Sequence, residues 1–146
     1  SERWLFNSIE KGVWHANLYH TKTASFTLFI DQPIRKISRN FKGEINFSTD
    51  SGKIFAYDIK TNNYHIISST LTDNTTSWSV LDGSVFLSGV GTGEKNLYKI
   101  TKEKKDKQLV LENIGLAHLV VLDSDNLVFS KIKNGNSDIK KYKYHY

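Results

Sequence analysis

Residues 45–48 read INFS, and three other segments of the chain repeat this pattern of apolar residues ending on a serine. The copies are LFNS at 5–8, VFLS at 85–88 and LVFS at 127–130. The four serines are 40, 40 and 42 residues apart. Self-similarity at a period of about 40–45 residues is typical of stacked or radial β-sheet repeats. The sequence therefore indicates an architecture much more directly than a chemistry.

Further strands are predicted on both sides of each serine segment. A second strand follows a polar, mostly glycine-bearing loop of the kind that tight hairpins need, at 17–21, 54–60, 96–101 and 138–144. A third strand is predicted at 25–31, 63–68 and 107–113. A leading strand precedes the serine segment at 34–38, 77–81 and 118–122.

The complete unit is a four-stranded antiparallel meander of about 40 residues, typical of an all-β repeat domain. We expect one domain spanning 1–146, divided into units at about 1–32, 33–73, 74–114 and 115–146. The first unit lacks its leading strand and the fourth lacks its last, so the sheets should have three, four, four and three strands. The predicted core consists of the apolar residues of the serine segments, Phe6, Phe47, Phe86 and Phe129 with Leu5, Ile45, Val85 and Leu127.

The stretch GKIFAYDIKTNN at 52–63 resembles the strand-and-turn element of quinoprotein-type and TolB-like β-propeller repeats. The resemblance implies a partial or small propeller-like array and a binding role, with no active site carried over. TolB-like propellers occur in periplasmic proteins and as C-terminal parts of membrane-anchored regulators. The resemblance therefore implies that the chain is the C-terminal part of a larger bacterial protein and lies on the envelope side rather than in the cytoplasm. An evenly spaced β-sandwich remains the alternative fold.

Composition excludes several kinds of site. The 146 residues contain no cysteine, so disulfides, thiolate metal sites and cysteine nucleophiles are ruled out. We expect no metal and no cofactor. We also expect no membrane span, because no apolar run in the chain reaches about 18 residues. The net charge of +5 includes only three arginines, Arg3, Arg35 and Arg39, which does not favour nucleic-acid binding.

Two short motifs are predicted to be structural turns. Residues 48–55 match the S-x-D-x-G-x-x-aromatic spacing of the Asp-box found in sialidases, in which Asp50 would accept backbone N–H bonds and Gly52 would close the turn. Asp82 and Gly83 lie between two apolar runs and predict a tight hairpin. A sialidase-like enzyme would also need clustered arginines and a tyrosine nucleophile. The tyrosines that recur in register are better explained by packing.

The candidate contact residues lie in two loops. Trp14 and His15 belong to the loop segment 10–17, and Trp14 is the best candidate for an exposed aromatic anchor, although it could instead begin a longer strand and join the core. Thr92, Glu94 and Lys95 belong to the glycine-rich loop 89–96, which is not a phosphate loop because a strand follows it.

These observations predict a non-catalytic recognition or sensing module that binds a protein partner or a small ligand. An envelope-side sensor domain of a membrane-anchored regulator would fit this description. One alternative is a fragment of a glycan-acting, sialidase-like propeller enzyme. The other is a structural self-assembly domain, which could form a homodimer through its incomplete terminal units because unpaired strand edges invite pairing.

Overall fold

A computed structural model describes residues 2–40, 42–69, 77–88, 96–101, 106–112, 119–121, 126–133 and 136–143. For 119–121, 129–133 and 136–142 the description covers the backbone alone. The described residues form fourteen strands. In chain order these are β1 (Arg3–Glu10), β2 (Val13–His20), β3 (Ser25–Ile30), β4 (Ile34–Arg39), β5 (Ile45–Thr49), β6 (Ile54–Asp58), β7 (Asn63–Ser68), β8 (Ser77–Leu81), β9 (Ser84–Ser88), β10 (Leu97–Ile100), β11 (Gln108–Leu111), β12 (Leu119–Val121), β13 (Asn126–Lys133) and β14 (Asn136–Lys143).

The strands form four antiparallel meanders. The first sheet is β1-β2-β3, the second β4-β5-β6-β7, the third β8-β9-β10-β11 and the fourth β12-β13-β14. The all-β fold and the predicted strand numbers of three, four, four and three are confirmed. No helix within the described part of the chain is long and apolar enough to cross a membrane.

Apolar side chains from successive sheets meet face to face. Between the first and second sheets lies a buried cluster of Ala16, Leu18, Phe29, Ile30, Ile34, Phe47 and Phe55. Between the second and third sheets lies a second cluster of Ile54, Trp78, Val80, Val85, Leu87 and Ile100. Residues directly opposite each other in a pair of strands point to the same face, and successive residues alternate. The second sheet therefore buries both of its faces, Phe47 against the first sheet and Ile54 against the third.

The prediction that Phe6 belongs to the core is wrong, because its side chain is 37% exposed. In β1 the neighbouring residues Leu5 and Asn7 face the second sheet, where Leu5 packs on the cluster and Asn7 bonds to Ile34. Phe6 and Ser8 consequently face away from it. The serine alignment places β1 one residue out of phase with the other repeats. Among the other predicted core residues, Phe47, Phe86, Val85 and Leu127 are buried, and Leu5 and Ile45 are partly buried. The side chain of Phe129 lies outside the described residues.

The second strand of the first repeat is longer than predicted, since β2 begins at Val13 rather than at residue 17. Lys11 and Gly12 both have positive φ, 49° and 81°. That geometry is typical of the two-residue turn whose twist matches paired strands. The pairing therefore extends to Glu10 opposite Val13, and residues 13–16 are strand rather than loop.

Side-chain hydrogen bonds join one sheet to the next. The Asn7 amide donates to the Ile34 carbonyl and accepts from the Ile34 N–H, both at 2.8 Å. The Lys36 ammonium donates to the Trp78 carbonyl at 2.6 Å and lies 4.7 Å from the centroid of the Trp78 ring. Burial lowers the pKa of Lys36. These bonds satisfy polar groups that stacking would otherwise leave without partners.

We expect Phe47→Ala to lower the free energy of unfolding by about 3–5 kcal/mol, because it removes a buried ring and leaves a cavity. Phe47 is 1% exposed, stacks on Phe55 at 4.9 Å between centroids and contacts Phe29 at 5.3 Å. Urea unfolding followed by circular dichroism measures the change. The matched control is Ile37→Ala, at the half-exposed residue opposite Phe47 in β4, which should change stability by only about 0.5 kcal/mol. Equal losses in the two variants would contradict the assigned core.

Candidate functional site

The turns of the stacked sheets collect at two ends, because strands in a meander alternate in direction. The upper end carries the turn Lys11–Gly12, the turn at 50–53 and the connection from β3 to β4 at 31–33. The lower end carries the turn between β4 and β5 and the turn Asp82–Gly83. The predicted contact residues Trp14 and His15 lie at the upper end.

An exposed apolar patch forms the tip of the β1–β2 hairpin at the upper end. Ile9, Val13 and Trp14 are 56%, 53% and 51% exposed, and Ile9 pairs directly with Trp14 across the strands. The Ile9–Trp14 pair lies on the face that, lower down, packs against the second sheet through Leu5 and Leu18. The pair stays exposed because the hairpin continues beyond the second sheet. The eight-residue strands β1 and β2 extend past β5 and β6, which have five residues each.

Polar side chains beside the hairpin tip are held in pairs. The Nδ1 atom of His15 lies 2.6 Å from Oδ1 of Asp31, which immediately follows β3. The side chain of Asp31 is mostly exposed and that of His15 mostly covered, so the carboxylate faces solvent beside the tip. Arg35, at an irregularity in the register of β4, donates through Nε to the Asp50 carboxylate. The upper end therefore combines an apolar tip with two exposed carboxylates.

The Asp-box segment forms the expected β5–β6 turn but not the expected capping bonds. Gly52 has a φ of 71°, and its N–H donates to the Thr49 carbonyl at 3.1 Å. The turn is closed by backbone bonds and by a 2.9 Å contact between the Thr49 and Ser51 hydroxyls. The Asp50 carboxylate instead accepts from Arg35, because the turn supplies its own backbone partners.

Asp82 and Gly83 form a two-residue hairpin turn, with φ values of 49° and 73° and Leu81 paired to Ser84. The Asp82 carboxylate accepts from the Lys42 ammonium at 2.5 Å. This turn lies at the lower end, away from Trp14.

Thr92, Glu94 and Lys95 lie outside the described residues. The residues that flank their segment, Ser88 and Leu97, pair with each other at the upper end. Within the ranges that the structure describes, no three side chains of the metal-ligating types come together to hold an ion.

A cleft of about 450 Å³ lies at the lower end, between the second and third sheets. Asn46, Ala56 and His65 form a row across β5, β6 and β7, and Val80 and Gly83 line the opposite side. The small Ala56 leaves room between its two polar neighbours. The Nδ2 atom of Asn46 is buried and has no hydrogen-bond partner. Sequence reasoning missed this cleft, because only the pairing register reveals the row.

Solved structures of other proteins contain similar sheets. No family model matches the sequence, and no curated protein matches it. TolB from Acinetobacter baumannii is similar with a TM-score of 0.66 and 15% identity, over 97% of this chain and 39% of TolB. A puromycin hydrolase S511A mutant complexed with PGG gives 0.59 and 11%, over 97% of this chain and 25% of that one. The tricorn protease gives 0.51 and 14%, over 94% and 16%.

The chain is folded as part of a β-propeller. Its four meanders correspond to propeller blades, which decides against the β-sandwich alternative. It spans about two fifths of the TolB chain and a smaller share of the hydrolases. Identities of 11–15% establish the fold alone.

Asp58, which lies beside the cleft, is expected to make the stability of the folded protein depend on pH. Its carboxylate accepts from the Lys60 N–H at 2.8 Å and from the Thr61 hydroxyl at 2.9 Å, and these bonds lower its pKa. A lowered pKa in the folded state adds stability that is present above the unfolded value of about 3.9 and is lost as pH falls through the folded value. Wild type should therefore lose more stability between pH 6 and pH 3 than Asp58→Asn.

Urea midpoints at the two pH values test this difference. Asp106→Asn, at an exposed position far along the chain, is the matched control and should follow wild type. Parallel losses in wild type and Asp58→Asn would show that these bonds do not favour the ionised carboxylate.

Proposed function

We propose that this chain is a non-catalytic recognition module that binds a protein partner through the tip of its β1–β2 hairpin. The observation that carries the proposal is the exposed patch of Ile9, Val13 and Trp14 on an extended, regularly paired hairpin. Large aromatic side chains on rigid supports are the usual anchors of protein interfaces. Because the hairpin is held by eight residue pairs, little conformational freedom would be lost on binding.

The surroundings of the tip support a protein partner. Asp31 and Asp50 offer carboxylates at the same end of the stack as the apolar patch, and an apolar centre with a polar rim is common in such interfaces. The partner surface would supply an apolar pocket for Trp14 and basic groups facing these carboxylates.

The arrangement of arginines does not favour the glycan-acting alternative. Arg35 lies at the upper end and pairs with Asp50, whereas Arg3 and Arg39 lie at the lower ends of their strands. Arg3 bonds to the Asn62 side chain at 2.8 Å. The three cations thus do not gather into the cluster that binds a substrate carboxylate.

An envelope-side setting is part of the proposal. TolB, the neighbour with a TM-score of 0.66, is a periplasmic protein, and a sensor domain of a membrane-anchored transcription regulator would present such a hairpin to its partner there.

Photo-crosslinking tests the proposed surface. A photoreactive phenylalanine analogue replaces Trp14 in one variant and, as a matched control, Ile66 in another; Ile66 is also half-exposed but lies on the outer strand β7. After irradiation in the cells that make the protein, position 14 should give a predominant protein adduct that position 66 does not.

The identified partner is then titrated against purified variants. Trp14→Ala should weaken binding by about 30-fold or more, the loss expected of a hot-spot side chain, whereas Ile66→Ala should change it less than about threefold. The same adducts at both positions, or unchanged affinity of Trp14→Ala, would refute the role of the tip.

The cleft at the lower end favours a small ligand as a second candidate function. Its volume lies within the usual range of about 300–1,000 Å³ for ligand sites. Apolar walls with a few polar groups, among them Asn46 and His65, would suit a small molecule bearing a carbonyl or carboxylate oxygen. Ligand-observed NMR with simple amides and carboxylates should detect binding to wild type that Ala56→Leu abolishes by filling the cleft. Identical spectra with both proteins would dismiss this site.

A further inference from the structure

A cavity of about 480 Å³, called here the first-interface cavity, lies at the lower end between the first and second sheets. Leu5, Leu18 and Phe29 line it from the first sheet, and Ile37 and Ile45 line it from the second. Leu18 and Phe29 are buried, whereas Ile37 is 51% exposed, so the cavity runs from the buried cluster between the two sheets out to solvent. It lies on the other side of the second sheet from the cleft described above.

A group of hydrogen-bonded polar side chains lies at the rim of the first-interface cavity. Arg3, the first residue of β1, donates through Nη1 to Oδ1 of Asn62 at 2.8 Å. The Tyr57 hydroxyl donates to the same oxygen at 2.7 Å. Arg3 and Tyr57 both line the cavity, so their bonds to Asn62, in the turn between β6 and β7, hold a guanidinium beside its opening.

The positive charge of Arg3 is not neutralised by a neighbouring carboxylate. Its partner Asn62 is a neutral amide, and no carboxylate in the described part of the chain forms an ion pair with it. Asp58, in the same turn as Asn62, accepts bonds from Lys60 and Thr61 instead. A guanidinium presents five N–H donors in a planar fork that fits a carboxylate through two parallel bonds. Arg3 therefore retains donors for an anionic group.

The charges that line the two lower-end spaces differ. The cleft between the second and third sheets is lined by two lysines, Lys42 and Lys60, and by two acidic residues, Glu44 and Asp58. The first-interface cavity is lined by Arg3, and its other lining residues carry no charge. A ligand that matches this cavity therefore has a single negative charge on an apolar body.

We infer that the first-interface cavity binds a small amphiphile whose apolar body enters between the sheets and whose terminal carboxylate pairs with Arg3. Removal of the apolar body from water would drive binding, and the half-exposed Ile37 would become covered. A singly charged carboxylate matches a single guanidinium, whereas a phosphate group with nearly two charges would remain partly unpaired. The inference does not depend on the proposed roles of the hairpin tip and of the cleft.

Titrations of octanoate and 1-octanol against the purified protein, followed by NMR of the backbone amides, test the role of Arg3. The two probes have the same number of carbons and differ in the carboxylate. Arg3→Gln should weaken octanoate binding about tenfold, because a charge-assisted pair of bonds is lost, and should weaken 1-octanol binding less than about twofold. The matched control is Arg39→Gln, at an exposed arginine of the same end that does not line the cavity, and it should leave the affinity for octanoate unchanged.

The apolar part of the site is tested separately. Butyrate should bind at least about tenfold more weakly than octanoate, because fewer methylene groups leave water. Ile37→Trp places a larger side chain at the opening and should weaken both octanoate and 1-octanol, whereas Ile66→Trp, at a residue of similar exposure on β7, should not. Urea midpoints close to that of wild type would show that both variants are folded.

Four outcomes would overturn the inference. Equal weakening of octanoate binding by Arg3→Gln and Arg39→Gln would indicate a general attraction of anions to a protein of net charge +5. Loss of octanoate binding in Ala56→Leu would place the carboxylate in the other cleft. Equal affinities for butyrate and octanoate would exclude a contribution from the apolar body. Octanoate that shifts no amide signal near Arg3 would exclude the cavity itself.

Discussion

The structure depends on the requirement that an inner β-sheet bury both of its faces. Side chains alternate along a strand, so a sheet between two others needs apolar residues at odd and even positions alike. Three strands of the inner sheets meet this requirement most fully: every residue of β8 is buried, as are four of the five in β5 and in β9. The first sheet has only one covered face, and its strand β1 contains no fully buried residue. Position in the stack thus decides how each repeat uses its apolar residues.

Polar contacts between sheets determine how the faces are aligned. Asn7 reaches from β1 to the start of β4, and Lys36 reaches from β4 to the backbone of β8. The Asn40 amide also donates from the end of β4 to the Val80 carbonyl of β8, at 3.4 Å. The leading strands therefore lie next to one another, and β8 in turn contacts β12. Radial sheets gather around an axis through such neighbouring leading strands.

The sequence was sufficient to predict the arrangement of strands, but not to predict which face of its sheet each side chain occupies. The serine period and the hairpin turns predict fourteen strands in four meanders, because local turn chemistry and β propensity act within a few residues. A shift of one residue reverses every side chain to the other face, and this is why the serine match assigned Phe6 to the wrong side. The ion pair of Asp50 with Arg35, and the row formed by Asn46, Ala56 and His65, depend on register between strands. That register was not predicted from the single sequence.

The two exposed apolar surfaces of the first sheet have different physical origins. On the side opposite the second sheet, Trp4 and Phe6 occupy the positions that correspond to Ile45 and Phe47 of the second sheet, which are partly buried and buried between sheets. Apolar residues at these two positions therefore fit the general pattern of the stacked sheets. Ile9 and Trp14 have no such counterparts, because β5 and β6 end before reaching an equivalent pair. Stacking gives no reason for apolar residues at the tip, and hairpin formation would proceed with polar residues there. The proposed contact of the tip with a partner would account for apolar residues at these positions.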